Sequence, residues 1–437
     1  METTYETILA GLADRPDPAS QLVADLERSL TLLYGEARLP GALERCQTVI
    51  RGFRETYGSA PEQLFSAPGR TELGGNHTDH QHGKVLAAAI DLDILAAVSR
   101  NHSGCIRIQS QGYPIITVDL RDLTPHPEEA NTSAALVRGV AARFAALGCP
   151  LQNLGVDAFM ISDVPGGSGL SSSAAFEVLI GTILNDLFWE SRCSAIEIAQ
   201  IGQYAENVFF GKPCGLMDQT ASAAGGVVFI DFQDTDHPAV ENLSLDLGGN
   251  GYALCILDSG ADHADLTGEY AAITGELSAV CACFGKTVLR EIPESDFMKQ
   301  LPAVRSACGD RAVLRALHVY AENQRAAEEA DALRTGTFSR FLQLSAASGR
   351  SSALYLQNVV PRGQAKQQAL LLTLALSEKF LAGRGAVRVH GGGFGGTAQA
   401  FVPLDLVGEF RTAMESVLGA GSCHVVNIRP VGGCRLL

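Results

Sequence analysis

The sequence predicts a mixed α and β protein of two or three domains, on three observations. The chain has 437 residues, against about 100–200 per domain. Its periodicity changes along the way: helical spacing first, then alternating strand-like and helical runs, then mainly helix from about residue 262. A boundary is expected near 235–260, around the polar segment QDTDHPAVENLS. The division is a helical extension over 1–60, a first domain over 61–245 and a second over 246–437.

Each element has a local reason. Ser20 can cap a helix with Leu22, Leu26, Leu30 and Leu33 on one face, stopped by Gly35. Pro40 opens another, with Leu43, Cys46, Ile50, Phe53 and Tyr57 at helical spacing and Gly58 after it. Both read as a packing appendage. Segments 84–100 and 105–119 read as strands around turns, 133–148 as a helix and 154–162 as a strand. A glycine-rich loop leads into helices over about 172–189 and 194–210, followed by strands at 226–232 and 252–258. The later helices include 311–335. Strands at 386–390 and 397–402 flank a second glycine cluster, and 423–429 reads as a last strand.

Composition excludes several classes. Hydrophobic residues make up 46% and charged residues 19%, against roughly 25% charged in an average soluble chain, which argues against disorder. Lys+Arg 33 against Asp+Glu 48 gives −15, a poor general match to nucleic acid or anionic membrane. There is no apolar run of about 18 residues to span a membrane. The start, METTYETILAGLADRPDP, lacks the basic and apolar regions of a signal peptide. Eleven cysteines with no CxxC pair suit reduced thiols in the cytoplasm.

Four stretches carry chemistry. In VPGGSGLSSSAAF (164–176), Gly166, Gly167 and Gly169 permit close backbone approach, with Ser168 and Leu170 between and after them. Ser171, Ser172 and Ser173 stand where a long helix should begin, so free N–H groups, hydroxyls and the helix dipole can cradle phosphate. It is neither a Walker loop nor a nucleophile elbow. In APGRTELGGNHTDHQHG (67–83), Arg70, Asn76, His77, Asp79, His80 and His82 crowd a short polar stretch. Two readings compete there: a metal site of His77, Asp79, His80 and His82, which would suggest a metallohydrolase, or a loop binding sugar hydroxyls beside an anion held by Arg70. In ENVFFGKPCGLMDQ (206–219), Glu206 can reach a cation and Asp218 can accept a hydroxyl proton. In RVHGGGFGG (388–396), glycines between apolar strands let backbone press against a ligand.

Together and in order, GRTELGGNHTDH, PGGSGLSSSA, PCGLMDQ and GGGFGG resemble the GHMP kinases, and among them the galactokinases, with their GRxNLxGEHTDY, PxGxGLSSSA, PCGxMDQ and GGGFGG stretches. The resemblance runs from about 60 to 435 and includes DSGADHADLTGEY at 258–270. It implies a two-domain α+β kinase with ATP and a sugar between the domains, acting on a sugar's anomeric hydroxyl, with galactose leading. On that resemblance the loop at 166–173 wraps the phosphates, and Ser173 and Glu206 hold Mg²⁺. Asp218 is the base and Arg70 stabilises charge beside it. Asn76, His77, Asp79, Gly215 and Tyr270 hold the sugar. A monomer is expected, with small molecules as its only partners.

The departures matter. Asn76 stands where the family has glutamate, and Thr71-Glu72 replaces Val-Asn. A neutral residue at 76 tolerates a C6 carboxylate, and plant galacturonokinases resemble HTDHQHG here, so galacturonate is an alternative substrate. The family's tryptophan ahead of SAALVRG is missing, and Gly268 replaces a serine. A non-catalytic sugar- and ATP-binding regulator is the other alternative, although Gly169–Ala175, Arg70, Glu206 and Asp218 are intact.

Overall fold

A computed structural model describes Ile8 and residues 20–151, 154–166, 169–212, 214–261, 266–394 and 396–437, with backbone alone for 20–23 and 267. Gly167 and Ser168 of the first glycine loop, and 262–265 of the DSGADHADLTGEY stretch, lie outside the described residues.

The fold is α+β on two sheets. Before residue 245 the strands are β1 (Gln63–Gly74), β2 (Lys84–Asn101), β3 (Cys105–Ser110), β4 (Ile116–Asp119), β5 (Gly155–Ser162), β6 (Val227–Asp231) and β7 (Ala239–Leu243). After it come β8 (Tyr252–Asp258), β9 (Ala386–His390), β10 (Thr397–Pro403), β11 (Cys423–Val426) and the short β12 (Cys434–Arg435). The larger sheet runs β12-β1-β2-β5-β3-β4, with β6 and β7 continuing from β2; the smaller runs β11-β8-β10-β9.

Strand β2 reads LAAAIDLDILAAV, almost unbroken in apolar character, because helices cover both faces of the sheet. On one face lie α1 (Ser20–Tyr34) and α2 (Leu39–Tyr57). Their Leu26, Leu30, Val49 and Phe53 pack on Leu95 and Ala97 of β2 and Phe159 and Ile161 of β5. The residues between, Ile94, Ala96 and Val98, face the main core. There α3 (Ser133–Ala146), α4 (Ser172–Trp189), α5 (Ala195–Tyr204) and α6 (Met217–Ala224) supply Val137 and Val140, Val178 and Leu179, Ile198, and Ala221 in turn. The period of two along the strand sorts its residues between the two cores. The first helices therefore roof the back of the larger sheet.

The remaining helices are α7 (Thr267–Ala282), α8 (Glu294–Cys308), α9 (Asp310–Arg334), α10 (Phe338–Ser351), α11 (Ala369–Leu381) and α12 (Val407–Leu418). Helices α11 and α12 cover the smaller sheet through Leu370, Leu374, Phe410 and Met414. Helix α9 reaches back to the larger sheet, where Asn323 accepts from Lys84 N at 2.8 Å.

Two elements depart from the sequence expectation. The polar stretch from 67 was read as loop, yet 63–74 is strand β1, buried beyond its first residue. Its polar side chains find partners across the molecule rather than in water. The helix expected over 194–210 ends as α5 at Tyr204 and widens into a π-helical turn, Ala205–Phe210, which Gly211 closes at φ +87°. Such turns are frequent at functional sites, and this one carries the buried Glu206.

A buried ionic hub fastens the roof to the sheet. Asp93 on β2 meets Arg45 of α2 at 2.7 Å, Arg429 at 2.8 Å and the Tyr34 hydroxyl of α1 at 2.6 Å. Burial alone would raise the Asp93 carboxyl, but Arg45 and Arg429 outweigh it and hold it below the usual range. Asp93→Ala strands two guanidinium groups, so urea unfolding should show a loss of about 3–5 kcal/mol; a loss below ~1 kcal/mol would show that the hub is dispensable. The contribution of Asp93 is complete above its unfolded pKa of about 3.9 and disappears as pH falls through the lower folded value.

Candidate active site

The site lies where β1 meets the smaller sheet. β1 pairs with β2 but shifts register twice, between Pro68 and Arg70 and between Glu72 and Gly74. Bulges of this kind re-aim side chains, and Arg70 and Glu72 sit between them on one face. Arg70 is almost fully buried, and its Nε and Nη2 each donate to the Asp218 carboxylate at 2.7 Å. This is the bidentate geometry that a planar guanidinium favours. Asp218 lies in the first turn of α6, where a carboxylate also suits the helix dipole. Burial pushes its carboxyl up, while Arg70 and the Ser171 hydroxyl outweigh burial and leave it below the ordinary carboxylate range.

The same arginine ties down the glycine-serine loop. Its Nη1 donates to the Gly169 carbonyl and its backbone N to the Leu170 carbonyl at 3.1 Å. Ser171 has a left-handed φ of +56°, and its hydroxyl donates to Asp218 instead of capping α4. The first turn of α4 thus begins at Ser172 with no side-chain cap and no acidic residue. Its free N–H groups and the hydroxyls of Ser172 and Ser173 remain for an anion. Gly166 stands at the start of this loop as a turn residue.

Behind the loop, Ser173 Oγ lies 3.5 Å from Glu206 Oε1. Lys212 Nζ approaches Glu206 Oε1 at 3.4 Å, and Gln219 Nε2 bridges Glu206 at 2.9 Å and Glu177 at 3.0 Å. Burial and then the charge of Glu206 push Glu177 well above the ordinary carboxyl range. The direction follows from the cost of ionising two adjacent buried acids.

The turn after β1 makes the opposite wall. Burial, then His80, lowers His77 to about 4, so its ring is neutral at pH 7. Its Nε2 lies 3.1 Å from the Gly392 carbonyl, which can only accept. The proton is therefore on Nε2, and Nδ1 keeps its lone pair. A Cβ at position 215 would run into the Asp79 carboxylate, so Gly215 lets those two segments touch. Tyr270 donates to the Gly393 carbonyl at 3.1 Å and meets Phe394 edge-on, and a Cβ at Gly392 would sit 2.6 Å from its ring. Asn76 was expected at the sugar, but it is fully buried and hydrogen-bonded to protein on every side.

Polar side chains stitch the two sheets together below this wall. The Glu72 N–H donates to His390 Nε2 at 3.3 Å, and Thr71 Oγ1 lies 3.0 Å from the same nitrogen. His390 Nδ1 faces Thr397 Oγ1 at 2.9 Å. Burial, then Arg70 and Arg388, lowers His390 well below its usual range, so it is neutral with Nδ1–H as the donor. Gln399 donates to Thr71 Oγ1 and to the Glu72 carbonyl, at 2.6 and 3.0 Å.

Comparison with known proteins places this arrangement. The Galactokinase galactose-binding signature matches residues 51–100, and the GHMP kinases N terminal domain matches 135–226. A galactokinase of Streptomyces coelicolor is 33% identical over 400 residues, covering 89% of this chain and 98% of that protein. The chain belongs to the galactokinase family. A galactokinase of Actinobacillus pleuropneumoniae is 32% identical over 372 residues, covering 84% of this chain and 91% of its own length. The crystal structure of Lactococcus lactis galactokinase complexed with galactose superposes with a TM-score of 0.75 at 26% identity, covering 89% of this chain and 99% of that one. The crystal structure of L. major mevalonate kinase in complex with R-mevalonate shares the fold alone, at 15% identity and a TM-score of 0.58, over 86% of this chain and 99% of that one. This chain is a GHMP kinase and a sugar kinase, and that family uses ATP.

The metallohydrolase reading of the first motif finds no support: among the described residues no group of three or more His, Cys, Asp and Glu could hold a metal ion. Sequence reasoning passed over Gln219, Glu177 and Lys212 around Glu206. Gln219 closes the PCGLMDQ stretch and was legible there; Glu177 looks like one more residue of an apolar helix. No helix among the described residues is long and apolar enough to cross a membrane. The upward shift of Glu177 makes a prediction. Glu177→Gln should leave the unfolding free energy at pH 7, read by urea titration, within about 0.5 kcal/mol of the parent; a loss above ~2 kcal/mol would mean that the buried acid is ionised.

Proposed function

We propose that this protein transfers the γ-phosphoryl group of ATP to the anomeric hydroxyl of galactose, giving galactose 1-phosphate. The observation that carries the reading is the Arg70–Asp218 pair at the mouth of an uncapped helix N-terminus, its arginine buried and its carboxylate partly open. An acceptor hydroxyl beside Asp218 would face the phosphates held at Ser171, Ser172 and Ser173.

The residues present fit both groups that the reaction needs. The α4 N-terminus, with Gly166–Leu170 leading into it, suits phosphate. Ser173 and Glu206 offer two oxygen ligands 3.5 Å apart, which suits Mg²⁺ completed by phosphate and water. When bound, Mg²⁺ neutralises charge on the transferring phosphate. Asp218 accepts the hydrogen bond of the sugar hydroxyl, orients it and takes its proton. Because phosphoryl transfer is loose, the proton need not leave early. A carboxylate held below the usual range therefore serves, as long as it stays ionised and in place. Arg70 does both and adds positive charge beside the developing negative charge. His77 offers Nδ1 as an acceptor for a sugar hydroxyl. Asp79, beside Gly215, offers a carboxylate, and Tyr270 closes the wall. Where the two sheets close on the ligands, water is excluded as a competing acceptor. Eleven free thiols suit a protein working in the cytoplasm.

The test is ADP release with galactose, galacturonate, N-acetylgalactosamine and glucose side by side. Turnover on galactose is expected; sugar binding without turnover on any of the four would favour the regulator instead. Asp218→Asn should cost about 10²–10⁴-fold or more in kcat and leave ATP affinity, read by calorimetry, near that of the parent. Near-normal turnover would remove Asp218 from the proton transfer.

A further inference from the structure

The first motif carries an acid and an amide four residues apart, Glu72 and Asn76. In the pattern it resembles, GRxNLxGEHTDY, the amide stands at the place of Glu72 and the acid at the place of Asn76. Position by position these are two departures. In space they are one contact. Asn76 Nδ2 donates to Glu72 Oε1 at 3.0 Å and to the Gly391 carbonyl at 2.7 Å. Its Oδ1 accepts from Asn358 Nδ2 at 2.9 Å and Ser352 Oγ at 3.2 Å. A carboxamide has two donor hydrogens and two acceptor lone pairs, and these four partners use them all. None is left for a ligand.

Glu72 completes the pair. Its carboxyl group meets Arg388 of β9, and both side chains are buried. The backbone of Asn76 is held too: its N donates to Glu322 Oε1 at 3.3 Å, and His318 Nε2 lies 3.0 Å from its carbonyl. Residue 76 thus anchors β1, α9, the Ser352–Leu356 turn and the 391–396 turn to one another, immediately before His77 and Asp79.

We propose that Glu72 and Asn76 are a reciprocally exchanged pair, in which the saturated Asn76 amide positions the sugar loop and Glu72, paired with Arg388, anchors that amide. The inference rests on the sugar-kinase reading above and adds two positioning residues to it.

The experiment is a double-mutant cycle in the full chain: Asn76→Glu, Glu72→Asn and both together. Asn76→Glu places two buried carboxylates against Arg388 and turns one of them toward the Gly391 carbonyl. It should raise the galactose KM by up to ~10²-fold, the scale of a loop misplaced by about 1 Å. The ATP KM should stay within about twofold, which separates loop positioning from general damage. The double variant restores one acid and one amide and should return the galactose KM to within about fivefold of the parent. Asn76→Glu alone matching the parent, or a double variant no better than the worse single, would each overturn the proposal. If Asn76→Glu does not fold, the double variant decides: folded and active supports the exchange, unfolded or inactive overturns it. If the parent phosphorylates none of the sugars, the kinase reading fails separately. The exchange is then judged by whether the double variant recovers the thermal midpoint lost by Asn76→Glu.

Discussion

The Arg70–Asp218 ion pair is the constraint around which the site is arranged. Its members are 148 residues apart, one on a strand and one on a helix. Arg70 is buried, and leaving its charge unpaired would cost several kcal/mol, so the partly open Asp218 is what fixes it. Through Arg70 the pair also fastens the carbonyls of Gly169 and Leu170, and through Asp218 it takes the Ser171 hydroxyl. Acceptor side and phosphate side are therefore set by a single contact. Because Ser171 is engaged there, it cannot cap α4, and the helix N-terminus stays open for an anion. Loop geometry, ionisation state and anion site share one cause.

The second organising feature is the polar seam between the sheets. Thr71 and Glu72 on β1 face Arg388 and His390 on β9 and Gln399 on β10. In a low-dielectric interior such groups add little net stability but penalise any arrangement that leaves one unpaired. A seam of this kind specifies how the two sheets meet. It also explains why His390 is neutral: burial and then Arg70 and Arg388 act in the same direction, while at His77 burial and His80 do so. A neutral ring with one nitrogen committed to the protein presents the other with a known character. At His77 that is an acceptor.

Much of the fold was legible in the sequence. The helix over 172–189 and the strands over 252–258 and 386–390 have the limits that periodicity and glycine punctuation suggest. The apolar run of β2, broken only by Asp91 and Asp93, pointed to strand, though not to its two roofs. Strand β1 was the principal miss. Arg70, Thr71 and Glu72 look like loop residues to any local rule, because local rules equate polarity with exposure. Their partners lie at Asp218, His390, Gln399 and Arg388, and no window of the sequence contains both halves. The π-helical turn at Glu206 was hidden for the same reason, since its consequence is to bring an acid to Ser173.

What the sequence determined by itself is the set of chemical groups and their order: four motifs, one glycine-serine loop leading into a helix, and one acid at the start of the next. Those follow from local composition and from backbone preferences acting over a few residues. Only the tertiary structure decided how the groups are used. It turned Asn76 inward, raised the Glu177 carboxyl, selected the His77 tautomer and placed the acid of the first motif beside Arg388. Ionisation and hydrogen-bond saturation depend on burial and on neighbours within a few ångströms. Here those neighbours come mostly from distant parts of the chain, which meet only once the two sheets have closed on each other.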